Sequence, residues 1–266
     1  MEKLVLTIGG SDPYAGGGVQ TDLKTFENHR QFGLSVLTAI VTNTKDDFSI
    51  HSLAPELVRQ QLQSLQNVNL AAIKIGLIGQ VEQVKEIKEF LRLKPGIPIV
   101  VDPVMVMKEH NGNAQKSIKE ALFSKLAPLA TLVTPNLREA EQFLHHPITN
   151  ESQLVMATQQ LAKMLGVAVV IKGGNRLPGA DAIDCLTIEE TTTTFKGKKQ
   201  TQAFENGAGC AFSASLAAQL SEQTAISTAV QIAKEYVADG LKKGVAVAPN
   251  FGSFWHGGVP VLKEAK

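Results

Sequence analysis

The chain has 266 residues, 26 lysines and arginines against 25 aspartates and glutamates, 44% apolar residues, and 11 Phe, 2 Tyr and 1 Trp. That composition excludes a disordered chain, and a formal charge of +1 supplies no field to steer a polyanion, so the expected partner is a small molecule in a pocket and not a nucleic acid. The two cysteines, Cys185 and Cys210, form no CxxC, so a disulfide framework and a cysteine-rich zinc site are both disfavoured and a reducing, cytoplasmic setting is expected. With no apolar run near the ~18 residues of a membrane span, neither a secretion signal nor a membrane segment is expected.

Short apolar runs alternate with amphipathic segments along the chain, beginning with a strand over Leu4 to Ile8, a helix over Gly18 to Asn28, a strand over Leu34 to Thr42 and a helix over Pro55 to Leu65. Further strands are predicted at Ala72 to Ile75, Ile97 to Val101, Thr131 to Thr134 and Val167 to Ile171, each apolar enough to be buried on both faces of a parallel sheet. Between them, apolar residues at three and four spacing predict helices over Val81 to Leu91, Ala114 to Lys125, Leu137 to Leu144 and Ser152 to Leu165. The pattern then changes to two antiparallel edge strands, Asp184 to Ile188 and Thr191 to Ala203, followed by helices over Cys210 to Leu220 and Thr224 to Lys243. No repeat or long linker interrupts this order, so residues 1–266 read as a single three-layer α/β domain, helices on both sides of a mostly parallel sheet.

Ligands of such a sheet sit beyond the carboxyl ends of its strands. The polar residues there are Gly9-Gly10-Ser11-Asp12, Asn43-Thr44, Gly76, Asp102-Pro103, Thr134-Pro135-Asn136 and Lys172-Gly173-Gly174. Any one of these suits helix capping alone, and six together favour a site. The segment Asn206 to Ser213 runs from a strand into a helix of small residues, where glycines turn successive N–H groups outward into an anion cradle. A thiol at that helix start is expected to have a lowered pKa, although Cys210 equally suits a small buried residue at a tight junction. Gly16-Gly17-Gly18 permits close approach to a ligand or a flexible connection. Neither G-x-x-x-x-G-K-[ST] nor G-x-G-x-x-G occurs, which disfavours a Walker loop and NAD. Asp102 suits magnesium through water or a turn; Glu139 suits one half of a capping box or a metal facing phosphates. His110, His145, His146 and His256 have no metal-ligand spacing.

The set Gly10-Ser11-Asp12, Gly16 to Phe26, Asp102-Pro103-Val104-Met105-Val106, Thr134 to Ala140 and Gly207-Ala208-Gly209-Cys210 closely resembles the vitamin kinases of the ribokinase superfamily. More narrowly, it is similar to the branch of hydroxymethylpyrimidine kinases and the bacterial pyridoxal kinases close to them. The resemblance implies a ribokinase-like α/β/α fold, ATP and magnesium with a monovalent cation as a further candidate, a homodimer, and phosphorylation of a hydroxymethyl group on a pyridine or pyrimidine. It implies that Cys210 takes the place of the catalytic aspartate of most relatives, with Gly207, Ala208 and Gly209 as the anion hole. Thr134, Asn136, Glu139, Lys172, Gly173 and Gly174 match the nucleotide side. Asp12, Gly18, Asn43, His51 and Val104 to Lys108, Met107 included, match the substrate side, and Asp102 with Glu139 matches the metal side.

Asn43 replaces the glutamine usual in hydroxymethylpyrimidine kinases, and Gly207-Ala208-Gly209-Cys210 replaces their Gly-Thr-Gly-Cys. Both differences lean toward pyridoxal kinase, whose members often have Met at the Asn43 position and Cys at Met107. The polar stretch Lys108 to Gln115 is a candidate flap over the substrate. The expectation is an ATP-dependent pyridoxal kinase of vitamin B6 salvage, also using pyridoxine and pyridoxamine. The alternatives are a hydroxymethylpyrimidine or phosphomethylpyrimidine kinase of thiamine biosynthesis, a silent ligand-binding protein on the same fold, and a sugar kinase, which the cysteine at 210 disfavours.

Overall fold

A computed structural model describes residues 2–43, 48–104, 112–200, 204–248 and 251–259, with the side chains of 112–115 outside that set. The elements follow as β1 (Leu4–Ser11), α1 (Gly18–Asn28), β2 (Phe32–Asn43), β3 (Phe48–Ser52), α2 (Pro55–Ser64), β4 (Ala72–Ile75), α3 (Gln83–Arg92), β5 (Ile99–Val101) and α4 (Gly112–Ala121). After a π turn at Leu122–Leu126 come β6 (Leu132–Val133), α5 (Leu137–Leu144), α6 (Glu151–Leu165), β7 (Ala168–Lys172), β8 (Asp181–Ile188) and β9 (Thr191–Lys198). The chain continues through α7 (Ala208–Ser221), α8 (Ile226–Lys242) and a hairpin of β10 (Val245–Ala248) and β11 (Phe251–Ser253). Among the described residues no helix is long and apolar enough to cross a membrane.

The main sheet has the order β3-β2-β1-β4-β5-β6-β7-β8-β9. From β2 through β7 all neighbours are parallel, while β3, β8 and β9 pair antiparallel at the two sides. The mostly parallel three-layer α/β fold expected from the alternating pattern is therefore present, with the antiparallel edges in place. Because the chain leaves β1 for β2 on one side and later takes up β4 on the other, the strand order reverses at β1, where a crevice opens beyond the carboxyl ends.

Side chains of a strand alternate between faces, which explains why these strands carry so little polarity. Leu6, Ile8, Ile73, Ile75, Val101, Val133, Val169 and Ile171 enter a core shared with α2, α3, α5 and α6. Val5, Ala72, Val100, Leu132, Val170 and Leu186 face the other way, into a core shared with α1, α7 and α8. On that second face the chemistry changes within one pleat. Two residues beyond Val5, Ala72, Val100, Leu132 and Val170 come Thr7, Lys74, Asp102, Thr134 and Lys172, and antiparallel β8 brings Asp184 two residues before Leu186. Helix α7 covers this polar row with small buried residues such as Ala211, Ala214 and Ala217, so its backbone lies close to the sheet.

Several elements differ from the sequence expectation. Strand β3 and the β10–β11 hairpin were not anticipated: β3 is a five-residue edge strand with three polar positions, and β10 is largely exposed, so neither shows a core period. Strand β5 starts at Ile99 and not Ile97, since Pro98 has no N–H for the ladder and contributes only its carbonyl, which accepts from Ile73 N at 2.9 Å. Strand β9 ends at Lys198, and the remainder of the expected run to Ala203 includes residues outside the described set. Met107 and Thr44 also lie outside it, as does the first part of the candidate flap, whose residues from Gly112 onward form the start of α4.

Candidate active site

Three Asp–Lys pairs mark the row at the carboxyl ends. Lys74 Nζ donates to both oxygens of Asp22 at 2.7 Å, and Thr7 Oγ1 donates to Asp22 Oδ2 at 2.6 Å. Asp102 Oδ1 accepts from Lys172 Nζ at 2.7 Å and Thr134 Oγ1 at 3.2 Å, while its Oδ2 accepts from Ser213 Oγ at 2.9 Å. Asp184 pairs with Lys234 on α8 at 2.7 Å. Burial works against the charge of Lys74, but Asp22, Cys210 and Asp102 outweigh it and raise the ammonium's pKa. For Lys172 the same opposition is overcome by Asp102 and Glu139. Both lysines are therefore cations held in place under the start of α7.

The sequence reading included Asp102, Thr134 and Lys172 but missed Asp22, Lys74, Asp184 and Ser213. A lysine inside the four-residue apolar strand Ala72–Ile75 was the available signal for one of them.

Gly207, in the left-handed region at φ +88°, turns the chain into α7 without a side-chain cap. The N–H groups of Gly209 and Cys210 belong to the first helical turn, which has no preceding carbonyls of its own to bond, and this gives the helix start its affinity for anions. Lys172 approaches the same place, for a Cβ added to Gly209 would lie 3.5 Å from its Nζ. Gly207, Ala208, Gly209, Cys210 and Lys172 are thus brought together.

The thiol itself departs from expectation. Burial raises Cys210 to about 11, and Asp22 and Asp102 add to that, while Lys74 and the N–H of Gly18 only partly counter it. The lowered pKa inferred from the helix start does not hold, because burial, with Asp22 and Asp102 beside it, outweighs Lys74 and the Gly18 N–H.

On the opposite wall, Gly18 adopts φ +63°, and any Cβ there would lie 2.2 Å from Gly10 O, so only glycine fits. Asp12 organises its own loop: Oδ1 accepts from Tyr14 N and Oδ2 from Gly16 N, each at 3.0 Å. Asn43 closes β2, and its carbonyl lies 3.5 Å from the Tyr14 hydroxyl. Val104 follows Asp102, its N–H donating to Asp102 O at 2.7 Å. His51 stands exposed on edge strand β3 beside Thr42 Oγ1 at 3.0 Å, away from the row.

Asn136 and Glu139 form a reciprocal capping box at the start of α5, with Glu139 Oε2 accepting from Asn136 N at 2.8 Å and Asn136 Oδ1 accepting from Glu139 N at 3.0 Å. Both alternatives read from the sequence are compatible with this, because Glu139 also acts on the charge of Lys172. Among the described residues no group of three or more His, Cys, Asp or Glu is arranged as a metal cage. The donor set of Asp102 and Glu139 fits a hard cation that keeps waters and rides on phosphates, as magnesium does.

With this geometry in place, the comparisons with known proteins are specific. The family model described as phosphomethylpyrimidine kinase matches residues 12–255. The chain belongs to the phosphomethylpyrimidine kinase family. Its homologues are named as kinases, and this chain is a kinase of that family. It is 34% identical over 260 residues to the hydroxymethylpyrimidine/phosphomethylpyrimidine kinase of Haemophilus influenzae, covering 96% of each chain. Among solved structures, the Staphylococcus aureus pyridoxal kinase in complex with AMP-PCP and pyridoxal superposes with a TM-score of 0.88 at 34% identity, over 97% of this chain and 94% of that one. The phosphomethylpyrimidine kinase of Clostridium difficile gives 0.74 at 31% identity, over 89% and 98%. The ribokinase-like fold and the use of ATP follow from these likenesses; the choice between pyridine and pyrimidine does not.

Proposed function

We propose that this family member transfers the γ-phosphoryl group of ATP to the hydroxymethyl group of pyridoxal, and also of pyridoxine and pyridoxamine. The observation that carries this reading is the closer backbone match to the kinase holding pyridoxal and AMP-PCP than to the phosphomethylpyrimidine kinase. The replacement of glutamine by Asn43 supports it.

In this reading the transferring phosphates lie over Gly207, Ala208, Gly209 and Cys210, where backbone N–H groups, the helix dipole and the Lys172 ammonium face the same point. Phosphoryl transfer asks mainly for positioning and charge stabilisation, and these residues supply both without rearranging. Asp102 and Thr134 hold Lys172 in place. Thr134, Asn136, Glu139, Lys172, Gly173 and Gly174 form the nucleotide side; Asp102 and Glu139 are the residues that would hold a magnesium ion, which would supply positive charge against the phosphates. Asp12 and Gly18 shape the loop that covers the substrate, with Asn43 and Val104 on its side of the crevice; Met107 lies outside the described residues, and His51 stands apart on exposed β3. For Cys210 to take the hydroxyl proton its own proton must leave first, and Lys74 is the positive charge nearby that favours the thiolate.

The second reading, phosphorylation of hydroxymethylpyrimidine and its phosphate, is favoured by the identity to the Haemophilus influenzae enzyme. ATP-dependent turnover of pyridoxal and of hydroxymethylpyrimidine under equal conditions decides between them. A kcat/KM at least tenfold higher for pyridoxal is expected, and the reverse order overturns the proposal.

A further inference from the structure

Asp184 is a buried carboxylate that neither reading of the reaction uses. It stands opposite Lys172 in the β7–β8 ladder, at the point where β7 gives way to Gly173-Gly174. Its Oδ1 accepts from Gly173 N at 2.9 Å and from Gly174 N at 3.4 Å, and its Oδ2 accepts from Lys234 Nζ at 2.7 Å. The loop is built to this contact. A Cβ on Gly173 would lie 2.0 Å from Ile183 O, and Gly174 sits at φ +53°, so both positions require glycine. A carboxylate only 6% exposed carries a desolvation cost, which these three donors offset.

We propose that Asp184, locked by Lys234, is a positioning residue that sets the shape of the Gly173-Gly174 turn for the nucleoside end of the nucleotide. This rests on the assignment of that turn to the nucleotide side. Successive N–H groups in a glycine turn ordinarily suit phosphate. Here both point inward at Asp184, so the turn has none to give to phosphate, unlike the start of α7. What it offers a ligand is an open backbone surface without side chains. Asp184 touches no reacting atom, and its influence is on nucleotide affinity and not on the transfer step.

The test is calorimetric binding of ADP and of inorganic tripolyphosphate, with steady-state kinetics, for the parent, Asp184→Ala, Asp184→Asn and Lys234→Met. Asp184→Ala is expected to weaken ADP and raise KM for ATP at least tenfold, leaving tripolyphosphate affinity, kcat and KM for the hydroxymethyl substrate within about twofold. Asp184→Asn keeps an oxygen for the two N–H groups and should recover most of the ADP affinity; Lys234→Met should fall between. Unchanged ADP affinity in Asp184→Ala overturns the proposal, as does an equal loss for ADP and tripolyphosphate. If Asp184→Ala does not fold, unchanged ADP affinity in both Asp184→Asn and Lys234→Met overturns it. A parent that binds ADP and turns over substrate leaves the kinase reading standing whatever the variants do; a parent that does neither removes that reading first.

Discussion

Two Asp–Lys pairs lie in the same polar row and contain the same chemistry, yet they are placed for different work. Lys74 and Asp22 are each 1% exposed at the side chain and bond one another through both carboxylate oxygens. Lys172 keeps 12% exposure and shares Asp102 with Thr134 and Ser213. In the sealed pair the charges are matched to each other. In the open pair only one oxygen of Asp102 faces the ammonium and part of Lys172 stays exposed, so its charge can meet a ligand. The difference teaches that position at the strand ends is not enough to make a charged residue functional; what matters is how much of its field its partner consumes.

The largest expected effect breaks the sealed pair. Lys74→Met leaves Asp22 buried without its cation and should cost ~3–5 kcal/mol of stability in urea unfolding, whereas Asp22→Asn with Lys74→Met should recover most of it. A single variant as stable as the parent would mean the pair is not sealed at all. Next comes the open pair. Lys172→Met should lose less stability than Lys74→Met but reduce kcat on the order of 10²-fold or more, because a preorganised positive charge is missing from the transferring phosphate. Large stability loss with full activity would reverse the roles of the two lysines.

Cys210 measures the balance between them. With its thiol at about 11, alkylation by iodoacetamide at pH 7.5 should run roughly 100-fold slower than for a free thiol, and faster reaction would show that Lys74 dominates its surroundings. Acid destabilises the fold through two buried histidines. Burial lowers His29 to about 4 and His256 to about 3. Below the ordinary value of 6.5 the unfolded chain binds protons that the folded chain refuses, so stability should fall with pH by up to roughly 1.4 kcal/mol per unit for each histidine. That loss continues to about pH 4 for the first and about 3 for the second. A melting temperature flat between pH 6.5 and 5 would contradict it. The smallest effect concerns specificity: Asn43→Gln should raise hydroxymethylpyrimidine turnover relative to pyridoxal by about tenfold or less, as a single contact permits.

The row was only partly legible beforehand. Asp102, Thr134 and Lys172 could be found because each directly follows an unbroken apolar run, and the turn into α7 because glycines crowd around Cys210. Lys74 was hidden inside such a run, where its neighbours Ile73 and Ile75 made the strand and drew no attention to the charge. Asp22 stood out only by its place in the first turns of the helix after the glycine loop, and its partner lies 52 residues away. Asp184 and Ser213 were obscured for the same reason: their importance comes from what lies across the fold, which local period does not report. The expected lowering of the Cys210 pKa failed similarly, since a helix start can be read from glycine spacing but the burial of the thiol and the carboxylates near it cannot.

The hairpin of β10 and β11 carries a consequence for the order in which the molecule is made. Asn206, the residue before the turn into α7, donates through Nδ2 to Gly252 O at 2.7 Å and accepts at its own carbonyl from Phe254 N at 2.8 Å. Phe251 reaches across to the other wall, its ring 5.0 Å from that of Tyr14. The strands that supply the charged row have all left the ribosome once residue 198 has emerged, but the clasp that ties the helix start to the glycine loop arrives more than fifty residues later. During synthesis the chain therefore passes through a stage in which every strand of the sheet has been made and the clasp has not, and a messenger cut short before codon 251 would encode a chain that lacks the clasp.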